Sequence, residues 1–234
     1  MNAHEQLAAY VATHSHLVSQ VVEFNLANDS LLQLDFTENN KALQPQDIAD
    51  TTRFSYWVNT KLKESGCRYG IGGYMEHRTV YSRSALFDTG EEPRRLHLGI
   101  DIWAEAGTPV YAPLQGTVHS FHDNDRFGDY GPTIILQHNL NGLPLFSLYG
   151  HLNRESLNGL QLGGPIEQGQ QIATFGAPHE NGSWPPHLHF QLMFDMQGLS
   201  GDYPGVCRYS QKEEYQRNIP DPEVILQFSG ATIM

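Results

Sequence analysis

A chain of 234 residues is long enough to bury a core without staples, and 39% hydrophobic against 17% charged residues excludes a disordered polymer. The formal net charge of −12 argues against nonspecific nucleic-acid binding and gives no support for docking on anionic lipid. The length suits one domain with extensions or two small ones.

In chain order, residues 4–27 carry Leu7, Val11, Leu17, Val18, Val21 and Val22 at roughly helical spacing, which predicts an amphipathic helix. This N-terminal stretch has no basic leader, continuous apolar run or cleavage site, so a secretory signal is not expected and the expected compartment is cytoplasmic. No run approaches the roughly 20 apolar residues of a bilayer span, so no membrane insertion is expected. Residues 31–36, LLQLDF, alternate and predict a short strand or an extended lead-in. DIADTTRFSYWVNTKLKESG, residues 47–66, predicts a second helix with Asp50 or Thr51 as N-cap and Gly66 at the C-cap. Residues 1–66 therefore read as a helical, structural N-terminal extension.

From Tyr69 the texture changes. YGIGGYMEHRTVYS, HLGIDIWAEAGTPVYAPLQGTVHSF, GPTIILQHNL, LPLFSLYGHL, QQIATFGAP and HLHFQLMF are short strand-like runs divided by Gly, Pro, Asn and Asp. No strand–helix alternation is present, which excludes a doubly wound parallel sheet. The tail KEEYQRNIPDPEVILQF predicts one helix before Pro220 and a turn near the end. Residues 67–234 thus form a second, mainly β unit. Cys67 and Cys207 imply no disulfide framework and read as free buried thiols.

Three places carry chemistry. HLGID supplies His97 and Asp101, LYGHL supplies His151, and PPHLHF supplies His187 and His189. Strand alternation sends His187 and His189 to one face. Catalytic zinc sites commonly use three N/O ligands and leave a position for water. His97, Asp101 and one of the last two histidines make such a set. His151 and the other member of the pair are then placed to move a proton and to hold a developing oxyanion. Spacing alone does not decide between them, and each residue has a bland alternative as a hydrogen-bonded strand residue. His4, His14, His16, His119, His122, His138 and His179 are assigned no chemistry.

Together, HLGIDIWAEAGTPVYAPLQGTV, LYGHL and PPHLHFQL resemble a lysostaphin-type (LytM-like) zinc metallopeptidase domain over roughly residues 68–200. The resemblance implies a mostly antiparallel β core of the duplicated-hybrid-motif kind, with the site in a groove across one sheet. It implies His97, Asp101 and His189 as zinc ligands and His151 and His187 as catalytic histidines. Tyr74 and Arg78 fall in its groove-lining segment and receive no catalytic role. The implied reaction is hydrolysis of a peptide amide, with peptide or muropeptide substrates. An export signal and wall-binding repeats, usual in that setting, are not expected here, and the chain is acidic rather than basic.

DYGPTIILQH, LYGHLNRESL, ENGSWPPHLHFQL and NIPDPEVIL also resemble, more narrowly, the metallopeptidase-like segment of fusion proteins that carry phosphotransferase-like and class III aminotransferase-like domains. Two alternatives accompany the peptidase reading: a non-enzymatic zinc-bearing regulatory module, and a hydrolase of a small intracellular metabolite. No feature of the sequence specifies an oligomeric state.

Overall fold

Asn2 opens α1 (Ala3–Thr13) with a capping box completed by Glu5. The computed structural model describes all 234 residues, and in it this helix ends well short of the predicted 4–27. The polar run His14–Ser15–His16 breaks the apolar stripe, and the His14 N–H closes back on the Tyr10 carbonyl at 2.9 Å. Val21, Val22 and Phe24 are buried from extended backbone instead, pinned where the Tyr111 N–H donates to the Val21 carbonyl at 2.9 Å. Next come β1 (Ser30–Gln33), α2 (Pro45–Ala49) and α3 (Thr51–Ser65). The predicted second helix is therefore two. Asp50 has extended φ/ψ and accepts the Arg53 N–H at 2.9 Å as the α3 N-cap, and Gly66 closes α3 at φ 70°.

The remaining strands are β2 (Tyr69–Gly72), β3 (Leu96–His97), β4 (Ile100–Trp103), β5 (Pro109–Tyr111), β6 (Gly116–Asn124), β7 (Gly131–Leu140), β8 (Leu143–Gly150), β9 (Pro165–Ile166), β10 (Gln171–Thr174), β11 (His187–Met193) and β12 (Val206–Cys207). Helices α4 (Lys212–Asn218) and α5 (Glu223–Leu226) precede β13 (Thr232–Ile233). Nine strands form one sheet in the order β13-β1-β2-β4-β11-β8-β7-β6-β9. From β2 to β9 every pairing is antiparallel, whereas β1 runs parallel to β2 and β13. The architecture is mainly β with an antiparallel core, and the sheet as a whole is mixed. Asn141 and Gly142, both at positive φ, make the tight β7–β8 turn that sets the register of that hairpin.

The sheet is covered on both faces, so β11 is buried at every position. Leu188, Phe190 and Leu192 join a core cluster of 31 residues that also contains Leu7, Val11, Val22 and Leu31. A second cluster of 12 joins Phe36, Phe54 and Val58 to Tyr81, Phe87, Trp103 and Trp184. The first 66 residues thus share both cores with the β unit. Cys67 and Cys207 are free and buried. No helix is long and apolar enough to cross a membrane.

Candidate metal and catalytic site

Strand pairing assembles the site. β4 and β11 are antiparallel neighbours, with His189 opposite Asp101 and His187 opposite Trp103. His97 arrives from β3, and Gly99 lets the chain pass close to its neighbour: a Cβ there would lie 2.7 Å from the Phe190 carbonyl and 2.8 Å from the His189 ring. His97 Nε2 lies 2.9 Å from His189 Nδ1, and each lies 3.1 Å from Asp101 Oδ1. All three residues are buried.

The outer partners fix which ring nitrogens carry protons. His97 Nδ1 donates to the Gly73 carbonyl at 2.9 Å, which leaves Nε2 a bare lone pair. The Gln191 amide nitrogen donates to the Pro204 carbonyl at 3.2 Å, so its oxygen faces His189. His189 Nε2 donates to that oxygen at 2.9 Å, and Nδ1 is left bare. Two imidazole lone pairs and a carboxylate oxygen therefore converge with no proton among them. A bound cation relieves that arrangement in a buried setting. The donor set suits zinc: tetrahedral coordination at ~2.0–2.1 Å separates ligand atoms by about 3.3 Å, close to the spacing found.

Charge supports the same assignment. Burial opposes ionisation of Asp101, but His97 and Arg78 outweigh it and hold the carboxyl well below the usual range. Burial, aided by the Arg78 charge, pushes His97 down to about 3, so its ring is neutral at pH 7. Arg78 is itself fully buried. It donates Nη1 to Asp101 Oδ2, which turns Oδ1 toward the histidines, and Nε to Glu76 at 2.6 Å.

His151 and His187 stand beside this triad. Their ring centroids are 4.1 Å apart, and His151 lies 6.4 Å from His189. His151 Nδ1 donates to the Asn181 carbonyl at 2.8 Å and His187 Nδ1 to the Pro185 carbonyl at 2.7 Å, so both Nε2 atoms carry lone pairs. The His187 ring stacks on Trp103 at 3.9 Å and 11°. His151 has φ 63°, a left-handed conformation that a side chain with a Cβ adopts at a cost. Its backbone is held on both sides, by the Tyr130 carbonyl (2.8 Å) and the Gly176 N–H (2.9 Å). Burial pushes His187 down to about 4, and burial with the neighbouring His187 holds His151 well below its ordinary value. Both are neutral proton acceptors.

All five residues singled out from the sequence lie together. Asp101, His151, His187 and His189 line a cavity of about 150 Å³, and His97 sits behind His189. Arg78, Gln191 and Trp103 were not assigned roles from sequence. Gln191 was within reach of that reading, because it follows His189 by two and so shares its strand face. Tyr130 also belongs here: its hydroxyl is 3.4 Å from His189 Nε2 and packs where a Cβ on Gly205 would lie 1.8 Å away.

Residues 95–200 match the family described as Peptidase family M23. That segment holds all five site residues. Over 150 residues the chain is 33% identical to an L-Ala--D-Glu endopeptidase of Bacillus subtilis, covering 60% of this chain and 44% of that protein. Over 134 residues it is 34% identical to a DD-carboxypeptidase/endopeptidase of Neisseria meningitidis serogroup B, covering 55% of this chain and 28% of that protein. The chain thus spans less than half the length of either relative. Among solved structures, the catalytic domain of lysostaphin from Staphylococcus simulans superposes with a TM-score of 0.44 at 24% identity, covering 74% of this chain and 97% of that one.

Proposed function

We propose that this chain is a zinc-dependent endopeptidase or amidohydrolase that cleaves peptide amide bonds, with peptidoglycan-derived peptides as the first substrate class to test. The observation that carries the reading is the convergence of His97 Nε2, His189 Nδ1 and Asp101 Oδ1 beside two neutral histidines whose Nε2 atoms are unprotonated. Zinc held by these three residues supplies Lewis acidity where an attacking water and a scissile carbonyl meet. The chain's own residues do the rest. Asp101 offsets the ion's charge, and Arg78 and Gln191 hold two of the ligands in orientation. Nε2 of one histidine of the His151–His187 pair takes the proton of the attacking water and returns it to the leaving amine. The other, whose Nε2 also carries a lone pair, accepts the second hydrogen of the attacking water and holds it in line with the scissile carbonyl. The surrounding aromatic rings keep bulk water away.

The reading is tested by incubating zinc-loaded protein with a muropeptide digest and following new termini by mass spectrometry. Cleavage that disappears in His187→Ala is expected. Intact muropeptides after incubation with protein that demonstrably carries metal would count against it. The narrower fusion-protein resemblance favours a small amide-bearing metabolite for the same site. A metabolite panel run alongside separates the two, since turnover there with peptides inert selects the metabolite.

A further inference from the structure

The cavity shared by the site residues has a roof, and the roof is braced from outside the M23 segment. Asp101, His151, His187 and His189 are only 2–6% exposed. A hole of about 150 Å³ is the size that holds one benzene-like molecule. That admits a small residue at a scissile bond; it does not admit a polymer strand laid across an open sheet.

The roof is residues 78–95, whose Tyr81, Leu86 and Phe87 line the cavity. Its anchors are polar, buried or half-buried, and spread along its length. Arg78 is tied to Asp101 and Glu76. The Thr79 N–H and hydroxyl both donate to the Phe36 carbonyl, at 2.9 and 3.1 Å. Arg83 Nη2 donates to the Thr51 hydroxyl at 2.8 Å, and that hydroxyl donates to the Ser183 carbonyl at 2.9 Å. Thr51, the first residue of α3, therefore ties the roof to the loop that enters β11. Tyr81 and Phe87 pack in one buried cluster with Phe36 and Phe54. Lifting such a roof strands the Arg78 charge and its carboxylate partners, so it behaves as a fixed wall.

The wall also carries charge of both signs. Asp129 and Asp202 line the cavity and Arg94 lines it as well; the Tyr130 N–H donates to the Asp129 carboxylate at 2.9 Å, and the Arg94 guanidinium donates to the Leu86 carbonyl. A small pocket whose mouth carries charges of both signs suits the charged end of a short peptide.

We propose that the site takes short soluble peptides with small residues at the cleaved bond and a free terminus close to it, and that the roof excludes extended or cross-linked chains. This rests on the peptidase reading above. The test compares kcat/KM of the zinc-loaded full chain on three probes: a free tetrapeptide of Ala and Gly, the same sequence extended on both sides with blocked ends, and intact sacculi. The short peptide is expected to win by at least about tenfold, the scale on which a misfitting pocket discriminates, with sacculi left whole. Equal or better turnover of the extended peptide, or release of fragments from sacculi, overturns the proposal and leaves the peptidase reading standing. No turnover of any probe by metal-bearing protein removes the peptidase reading and this proposal with it. Thr51→Val, which cuts the brace outside the cavity, and Phe87→Ala, which widens it, are each expected to narrow the gap between short and extended probes. A gap unchanged in both folded variants would show that the roof does not set it.

Discussion

The sheet buries histidines in two places, and they behave differently. On β7, His138 is 2% exposed; its Nδ1 donates to the Gln115 carbonyl at 2.8 Å and its Nε2 lies 2.7 Å from the Ser147 hydroxyl, itself 3.0 Å from the Tyr149 hydroxyl. Every ring nitrogen there has a partner within the protein. On β3 and β11, His97 and His189 are equally buried, but each spends its N–H outward and turns a lone pair toward the other and toward Asp101. Burial and lowered basicity do not separate the two regions, since His138 is pushed to about 4 and His97 to about 3. What separates them is where the lone pairs go. A satisfied histidine is structure; converging acceptors with no proton among them call for a cation.

Breaking each region should give different losses. The largest is expected from removing the ion: dialysis against a chelator abolishes hydrolysis, zinc restores it in the wild type, and zinc fails to restore it in His97→Ala, all followed by peptide-cleavage assay. Next, His151→Ala and His187→Ala should each retain the metal but lower kcat by roughly 10²–10⁴-fold, the usual contribution of a positioned acid–base group. Metal analysis of the same samples distinguishes this from ligand loss.

The other region predicts a pH effect on stability. His138 has a folded-state value of about 4, below the ~6.5 of an unfolded histidine. The unfolded chain therefore takes up the proton first as pH falls. Nothing is lost above about pH 6.5, and stability falls between there and pH 4 by up to roughly 3 kcal/mol. His138→Gln should flatten that part of the profile in urea melts at pH 7 and 4.5, while leaving the zinc content unchanged. The smallest effect is expected from Gln191→Leu, which frees the His189 tautomer. Zinc affinity should drop by about 10–100-fold with the fold intact, measured by competition with a chromogenic chelator.

Much of the site was legible because strands alternate. H-x-H puts His187 and His189 on one face of β11, and HLGID brings His97 and Asp101 together across one short bend. Trp103, which stacks on His187, belongs to the pairing of β4 with β11 and so to no local pattern. Arg78 lies in irregular chain between β2 and β3, where no periodicity marks a buried position. The left-handed φ of His151 is imposed by Tyr130 and Gly176, distant in sequence.

The fold divides in the same way. The Asn141–Gly142 turn and the strands around it follow local rules. The parallel pairing of β1 with β2 and β13 joins a four-residue strand to segments 36 residues or more away, and short strands of that kind carry little signal. The long first helix failed because buried apolar residues at Val21, Val22 and Phe24 fit an extended segment against the sheet as well as they fit a helical face.

The central claim is that three converging acceptors hold one divalent ion. The direct measurement is metal content of the purified chain by mass spectrometry, after exposure to zinc and removal of excess, compared with His189→Ala. The account predicts about one zinc per wild-type chain, as a three-ligand site requires, and essentially none in the variant. Wild-type protein that stays metal-free under saturating zinc, or a variant that binds as well, would contradict it.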